Sequence, residues 1–285
     1  MELVLVGDKP LATAAHLSFA GGTSALVIDA TRLLFACPLD LAGLVATAHW
    51  ASSASMAVTL RLPTDSNTAS YLQRMDVLQL MPSRTRVTGR VPPDARTDLG
   101  SRLLEVTPLS SANVDGVAEK LGRLITAFYA DYSESAGHVV YRACGELLAN
   151  ATEHGTSDTG AFVAVQTYTG GTTGGPRLEF AVCDTGIGVL DHLRQNARYD
   201  YLTRDELALS KAMEAGVSGV GADRGNGLSD LIDDTRHHGQ LQFEMRSGRG
   251  EIKVTGSPEA SSEKLNDRLD QTAGTWAWLA HWIQI

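Results

Sequence analysis

The stretch Glu146–Gly155, ELLANATEHG, constrains the chain most. Read as a helix, it stacks Glu146, Asn150 and Glu153 on one face, because residues four and seven apart coincide on a 3.6-residue period. Val140, Ala143, Cys144, Leu147 and Ala151 form a second, apolar stripe that has to face a core. A surface helix usually pairs its acids with Lys or Arg four residues on. Here Asn150 follows Glu146 and Ser157 follows Glu153, and neither is a base. Taken alone, the polar face reads either as a solvated acidic stripe or as one side of a ligand site.

Length and composition narrow the class. A chain of 285 residues suggests two domains, and 43% hydrophobic with 20% charged residues is ordinary for a globular protein. The net charge of -9 argues against a nucleic-acid backbone as main partner. Cys37, Cys144 and Cys183 lack CxxC spacing and sit in or beside apolar runs, so they read as reduced core thiols of a cytosolic protein. The start, MELVLVGDKP, lacks a basic n-region, and no run approaches the ~20 apolar residues of a membrane span.

The first third alternates strand and helix signals. Ala25–Asp29 suits a buried strand. Leu41, Leu44, Val45 and Ala48 repeat at helical spacing behind Pro38. Met56, Val58, Leu60 and Leu62 alternate as a strand stopped by Pro63, and Asn67–Met75 reads as a helix. This order implies an α/β layer. The segment from Pro82 to Pro108, with Pro92, Pro93 and scattered Arg84, Arg86, Arg90, Arg96 and Arg102, reads as inter-domain, placing the boundary near Pro108. The arginines read as solvated surface or as a partner patch. The runs ALVIDATRLLFACPLDLAGLVATAHW, MAVTLRLP and YLQRMDV resemble a STAS domain, the anti-sigma-antagonist fold. Many such domains carry a phosphorylatable Ser or Thr where this chain has Cys37, Pro38, Leu39 and Asp40, so phosphorylation there is not expected. The resemblance implies a docking module; the plainer alternative is a structural cap on the second domain.

In the second part, Asn113–Tyr132 is a helix candidate, and Ala161–Tyr168 and Leu178–Cys183 read as strands around the turn Gly170–Gly175. The second strand runs into Asp184-Thr185-Gly186-Ile187-Gly188, an acid and two glycines that let backbone approach a flat ligand. Thr203 and Glu206 suggest a capping box for a helix reaching Ala215. Gly219–Gly227 then leads into a helix at Leu228, whose free amides and dipole suit phosphate. Gln240–Arg246 and Glu251–Thr255 read as a hairpin about Gly248-Arg249-Gly250, Ser257–Thr272 as a polar loop, and Gly274–Ile285 as a covered strand.

Taken in this order, the acidic-amide helix, DTGIG, RGNGL and Gly274-Thr275 resemble the GHKL ATP-binding fold of histidine kinases, gyrase-type ATPases and anti-sigma-factor serine kinases. The expected fold is therefore α+β: a STAS-like α/β domain with linker over 1–107, then a GHKL two-layer α/β sandwich over 108–285. The resemblance implies ATP and Mg2+ as cofactors. It assigns Asn150 to the metal, Asp184 to the adenine amine, Gly186 and Gly188 to the base and sugar, and Gly225, Gly227 and Leu228 to phosphates. Thr275 would fix Asp184 or a water. Arg224 would steer phosphate or lie on the surface, and His154 would approach the phosphates or simply end its helix. Glu146, one turn before Asn150, would be the general base. No helical hairpin bearing a phosphoacceptor His precedes this region, which points to the anti-sigma branch. The implied activity is a cytoplasmic, Mg-ATP-dependent protein serine/threonine kinase with a STAS-domain antagonist or sigma factor as partner, no direct nucleic-acid or membrane contact, and a homodimer as a possible assembly. The alternative is a non-catalytic ATP switch with a lid between Leu190 and Gly221, or a slow ATPase.

Overall fold

A helix that is apolar all the way round must be buried all the way round, and this decides the architecture. The computed structural model describes residues 1–7, 24–94, 99–153, 160–170, 175–214, 217 and 228–283, the side chains at 269–270 excepted. Within it, helix α1 (Pro38–Ser53) carries Leu39, Leu41, Ala42, Leu44, Val45, Ala46, Ala48 and Ala51 in the core. Pro38 occupies the first turn, where its missing N–H costs nothing. The Cys37 amide donates to Asp40 Oδ2 at 2.8 Å, which satisfies a carboxylate that has no exposed surface.

On one side of α1 lies a four-stranded parallel sheet in sequential order: β1 (Glu2–Gly7), β2 (Ala25–Leu33), β3 (Ala57–Arg61) and β4 (Arg86–Thr88). α2 (Ser66–Arg74) and the short α3 (Val77–Leu80) lie in the crossover from β3 to β4. The Asp65 side chain caps α2 by accepting from the Thr68 amide at 2.8 Å. On the other side lies a five-stranded antiparallel sheet of order β5-β6-β7-β9-β8, built from β5 (Leu103–Leu109), β6 (Ala161–Tyr168), β7 (Arg177–Asp184), β8 (Gln240–Gly256) and β9 (Ser261–Trp282). Its far face packs on α4 (Val114–Tyr129), α5 (Glu134–Glu153) and α8 (Leu228–Arg236), with Val163, Phe180, Phe243 and Leu279 in that core. Its near face gives Phe162, Ala164, Ala181, Cys183 and Trp276 to the core shared with α1 and the parallel sheet. The Tyr71 hydroxyl also donates to Gln166 Oε1, and Arg74 pairs with Glu105 at 2.5 Å, so polar contacts cross the same boundary.

The chain is thus mixed α+β, a parallel α/β unit followed by an antiparallel sheet backed by helices. Among the described residues, no helix is long and apolar enough to cross a membrane. The division expected near Pro108 runs through β5, whose pairing with β6 begins at Leu103, so the change of sheet falls earlier in the chain.

The C-terminal hairpin differs from the sequence reading. Gly248-Arg249-Gly250 is no turn: β8 continues through it, and the reversal comes at Ser257–Ala260, where the Ser257 amide donates to the Ala260 carbonyl at 2.8 Å. The supposed loop Ser257–Thr272 is largely the first half of β9. Its exposed polar residues bury little, which removes the apolar alternation that would announce a strand. The glycines instead lie opposite a bulge carried by β9 between Asp267 and Thr275, with register shifts between Ser247 and Gly248 and between Gly248 and Gly250. Before them, Phe243 and Met245 face the helices while Glu244 and Arg246 face away; after them, Ile252 and Val254 face the helices while Glu251 and Lys253 join the charged side. Arg246 pairs with Glu244 and, at 3.2 Å, with Glu251, and Arg268 reaches Glu251 at 3.1 Å.

Because α1 shares one core with the parallel sheet and the near face of the antiparallel sheet, the two sheets are expected to melt together. Calorimetry should show one transition, and Leu44→Ala, which empties a fully buried site, should lower it by about 2–5 kcal/mol of stability without splitting it.

Candidate functional site

The site begins where β7 ends. Strand alternation points Val182 and Asp184 toward the helices, and the chain then turns through Gly186 into the six-residue helix α6 (Gly188–Leu193). Gly188 takes a φ of +80°, which an L side chain rarely adopts, so the turn needs glycine there. Gly274 takes a φ of +71° on β9, and a Cβ there would lie 2.4 Å from the Asp184 carbonyl oxygen. These two glycines let the Asp184 strand end, α6 and β9 close on one another.

They enclose a cavity of about 110 Å3. Leu147, Asn150 and Ala151 of α5 line it, with Val182 and Asp184 of β7, Gly188, Val189, His192 and Leu193 of α6, and Ala212 of α7 (Asp205–Met213). Val217, Leu228 at the start of α8, Met245 of β8, and Thr275 and Ala277 of β9 complete it. The walls are mostly apolar, with Asn150, Asp184, His192 and Thr275 as the polar groups, the usual balance for a site that takes an aromatic ligand and orients it with few hydrogen bonds. Its volume is close to that of the ~150 Å3 cavity known to admit benzene, so it suits a flat ring system, not a whole nucleotide.

Asp184 is only 5% exposed. Its Oδ1 accepts from the Gly186 amide at 2.8 Å and from the Thr275 amide at 3.1 Å. Burial drives its pKa up to about 6, and those two amides hold it from rising further. The carboxyl can therefore present either a proton donor or an acceptor to a ligand near neutral pH.

Of the residues singled out in the sequence, the structure places Asn150, Asp184, Gly188, Leu228 and Thr275 around this cavity. Gly186 contributes its amide to Asp184 and does not line the cavity wall. Glu146 lies on α5 one turn before Asn150, outside the lining, where burial and then the Glu153 charge raise its pKa. His154, Arg224, Gly225 and Gly227 lie outside the described residues, as does the rest of the Gly219–Gly227 run. The Thr203–Glu206 capping box does not form: Arg204 is the N-cap residue of α7 and its side chain pairs with Glu206. Two nearby residues escaped the sequence reading. His192 follows DTGIG too closely to stand out from a helix surface, and Ser247 was hidden in the apparent turn SGRG; only the pairing of Ser247 with Thr275 reveals its place.

The raised Asp184 value has a stability consequence. The folded state holds the proton more tightly than the ordinary 3.8, so its contribution is present below about pH 4 and lost as pH rises through about 6. That gap is worth roughly 3 kcal/mol. Asp184→Asn should accordingly be more stable than wild type at pH 8, by up to this amount, and the advantage should vanish near pH 4; urea denaturation at the two pH values measures it.

No family description matches the chain, and no curated protein does. Among solved structures, the chain is similar to the topoisomerase IV ATP-binding domain of Francisella tularensis in complex with a small-molecule inhibitor, with a TM-score of 0.23 and 13% identity, covering 64% of this chain and 75% of that one. So loose a superposition leaves the site to stand on its own geometry.

Proposed function

We propose that this protein is an Mg-ATP-binding regulatory protein of the GHKL type, acting as a protein serine/threonine kinase of the anti-sigma kind on a STAS-domain partner. The observation that carries the nucleotide reading is the single cavity in which Asn150, Asp184, Gly188, Leu228 and Thr275 meet. An adenine ring would suit its size and its apolar walls, and Asp184, which lines it, would engage the exocyclic amine. The sugar and phosphates would then extend out of the cavity toward the start of α8, since the first-turn amides and dipole of a helix favour anions.

Magnesium fits this reading only as a metal carried by the nucleotide. Among the described residues, no group of three His, Cys, Asp or Glu side chains could hold a metal alone. Asn150 offers one hard oxygen ligand, and Mg2+ characteristically completes its shell with water and phosphate oxygens. When bound, the metal would neutralise phosphate charge. Glu146, whose carboxyl burial and then the Glu153 charge make more basic than an ordinary glutamate, would act as the general base toward a hydroxyl.

One observation favours the second reading, an ATP-dependent switch. Glu146 does not line the cavity, whereas α6 and α7 carry a small core of their own, Leu193, Tyr199, Leu202 and Ala208, along its rim. Such a satellite cluster can reorder as a unit around a ligand. The STAS-like character of 1–107, a cytoplasmic location and a homodimer belong to the same proposal, and a dimer would have to form away from the sheet face that α1 covers.

Calorimetry should show adenosine, ADP and ATP binding and GTP failing to bind, with Mg2+ strengthening ATP alone. Asp184→Asn should weaken adenosine at least tenfold, the cost of losing a hydrogen bond to a charged group, even though the variant is the more stable protein. Incubation with radiolabelled ATP and STAS-domain proteins separates the two readings: transfer that disappears in Glu146→Gln supports the kinase, whereas unaltered partner regulation without any transfer supports the switch.

A further inference from the structure

Ser247 is 2% exposed and sits on β8 opposite Thr275, at the last regular pair before the bulge. Its hydroxyl accepts from the Val189 amide at 2.8 Å and donates to the Gly274 carbonyl at 3.1 Å. The Thr275 hydroxyl donates to it at 3.4 Å. One proton and two lone pairs are all that a serine hydroxyl has, and all three are used inside this site. No larger side chain enters easily, because the Gly188 backbone is so near that a Cβ there would lie 2.8 Å from Ser247 Oγ.

The partners are what matter. Val189 opens α6 just after the Gly188 turn, and Gly274 precedes the residue whose amide meets Asp184. We infer that Ser247 is a positioning residue for the cavity: its hydroxyl fastens the Gly188–Val189 turn to the Gly274–Thr275 backbone and thereby keeps the Thr275 amide on Asp184 Oδ1. Ser247 touches no ligand in this arrangement. It acts through Asp184, whose orientation decides what a bound base meets. The inference rests on the base-binding reading above and deepens it. The segment after Ser247 extends the same clamp outward, since the Arg249 amide donates to Asp205 Oδ2 at 2.8 Å at the start of α7.

The test uses the full chain and adenosine, which probes the base end without phosphate or metal. His192, the other titratable side chain lining the cavity, is changed to Gln in every protein so that any inflection belongs to Asp184. Adenosine affinity is then measured by calorimetry from pH 5 to pH 8 for the Ser247 and Ser247→Ala forms. The expected result is about tenfold weaker binding in Ser247→Ala, together with an inflection moved to higher pH, because losing the Thr275 amide removes a hydrogen bond that favours the ionised carboxylate. A serine that merely fills space would behave otherwise: its loss would admit water and leave the inflection in place or move it down. That result, or unchanged affinity, overturns the inference. If Ser247→Ala does not fold, Ser247→Gly, which removes the hydroxyl without adding bulk, should show the same upward movement, and its absence counts equally against the proposal. A Ser247 form that binds no adenosine removes the base-binding reading itself and this inference with it, an outcome distinct from a Ser247 form that binds while the variant is unaffected.

Discussion

Everything in this molecule depends on one helix being buried on all sides. α1 has no solvated face to set its orientation, so its position comes from the two sheets that enclose it. That mutual enclosure explains why the near face of the antiparallel sheet is as apolar as the far one, with Ala164, Ala181 and Cys183 small enough to admit a helix backbone and Phe162 and Trp276 filling the gaps beside it. It also explains the tolerance for a buried acid: Asp40 lies in the first turn of α1, where an amide and the positive end of the helix dipole meet it.

The same enclosure bears on the cavity. The strands that present Asp184 and Thr275 on one face present Cys183 and Trp276 on the other, and those two residues pack in the α1 core. The floor of the cavity is therefore the reverse side of the surface on which the N-terminal unit rests. An N-terminal unit seated so deeply shares a core with the sheet that carries the cavity. It is also the cap considered from the sequence, and a shift of α1 against the sheet would be felt by the residues that would contact a ligand. The start of α1 is turned inward, with Leu39 and Asp40 in the core.

Much of this was legible in the residues. Apolar stripes at helical spacing marked α4, α5 and α8, and strand alternation marked β3, because each of these has one clear core face, whereas β7, buried on both faces, was marked only by its β-rich composition and the glycines before it. The proximity of Asn150, Asp184 and Thr275 was legible only through the order of three individually weak motifs. What could not be read was tertiary. Periodicity shows that α1 is apolar, but not that a second sheet waits on its other side. A glycine pair in SGRG suits a turn and a strand facing a bulge equally, and the choice is made by packing against α7, which lies more than forty residues away in sequence, where Asp205 meets the Arg249 amide. Ser247 has no signature of its own, since its role comes entirely from three partners distant along the chain.

The break in register at Ser247–Gly250 fixes a length as well as a shape. Odd-numbered residues of β8 face the helices before it and even-numbered ones after it, so the number of residues between Met245 and Ile252 is set by both halves of the strand at once. Dropping a single residue there would swing Ile252 and Val254 out to the side of Arg268 and drive Glu251 and Lys253 into the helices. A stretch that looks like the most forgiving kind of sequence, small, polar and glycine-rich, is thus among those least able to absorb an insertion or deletion.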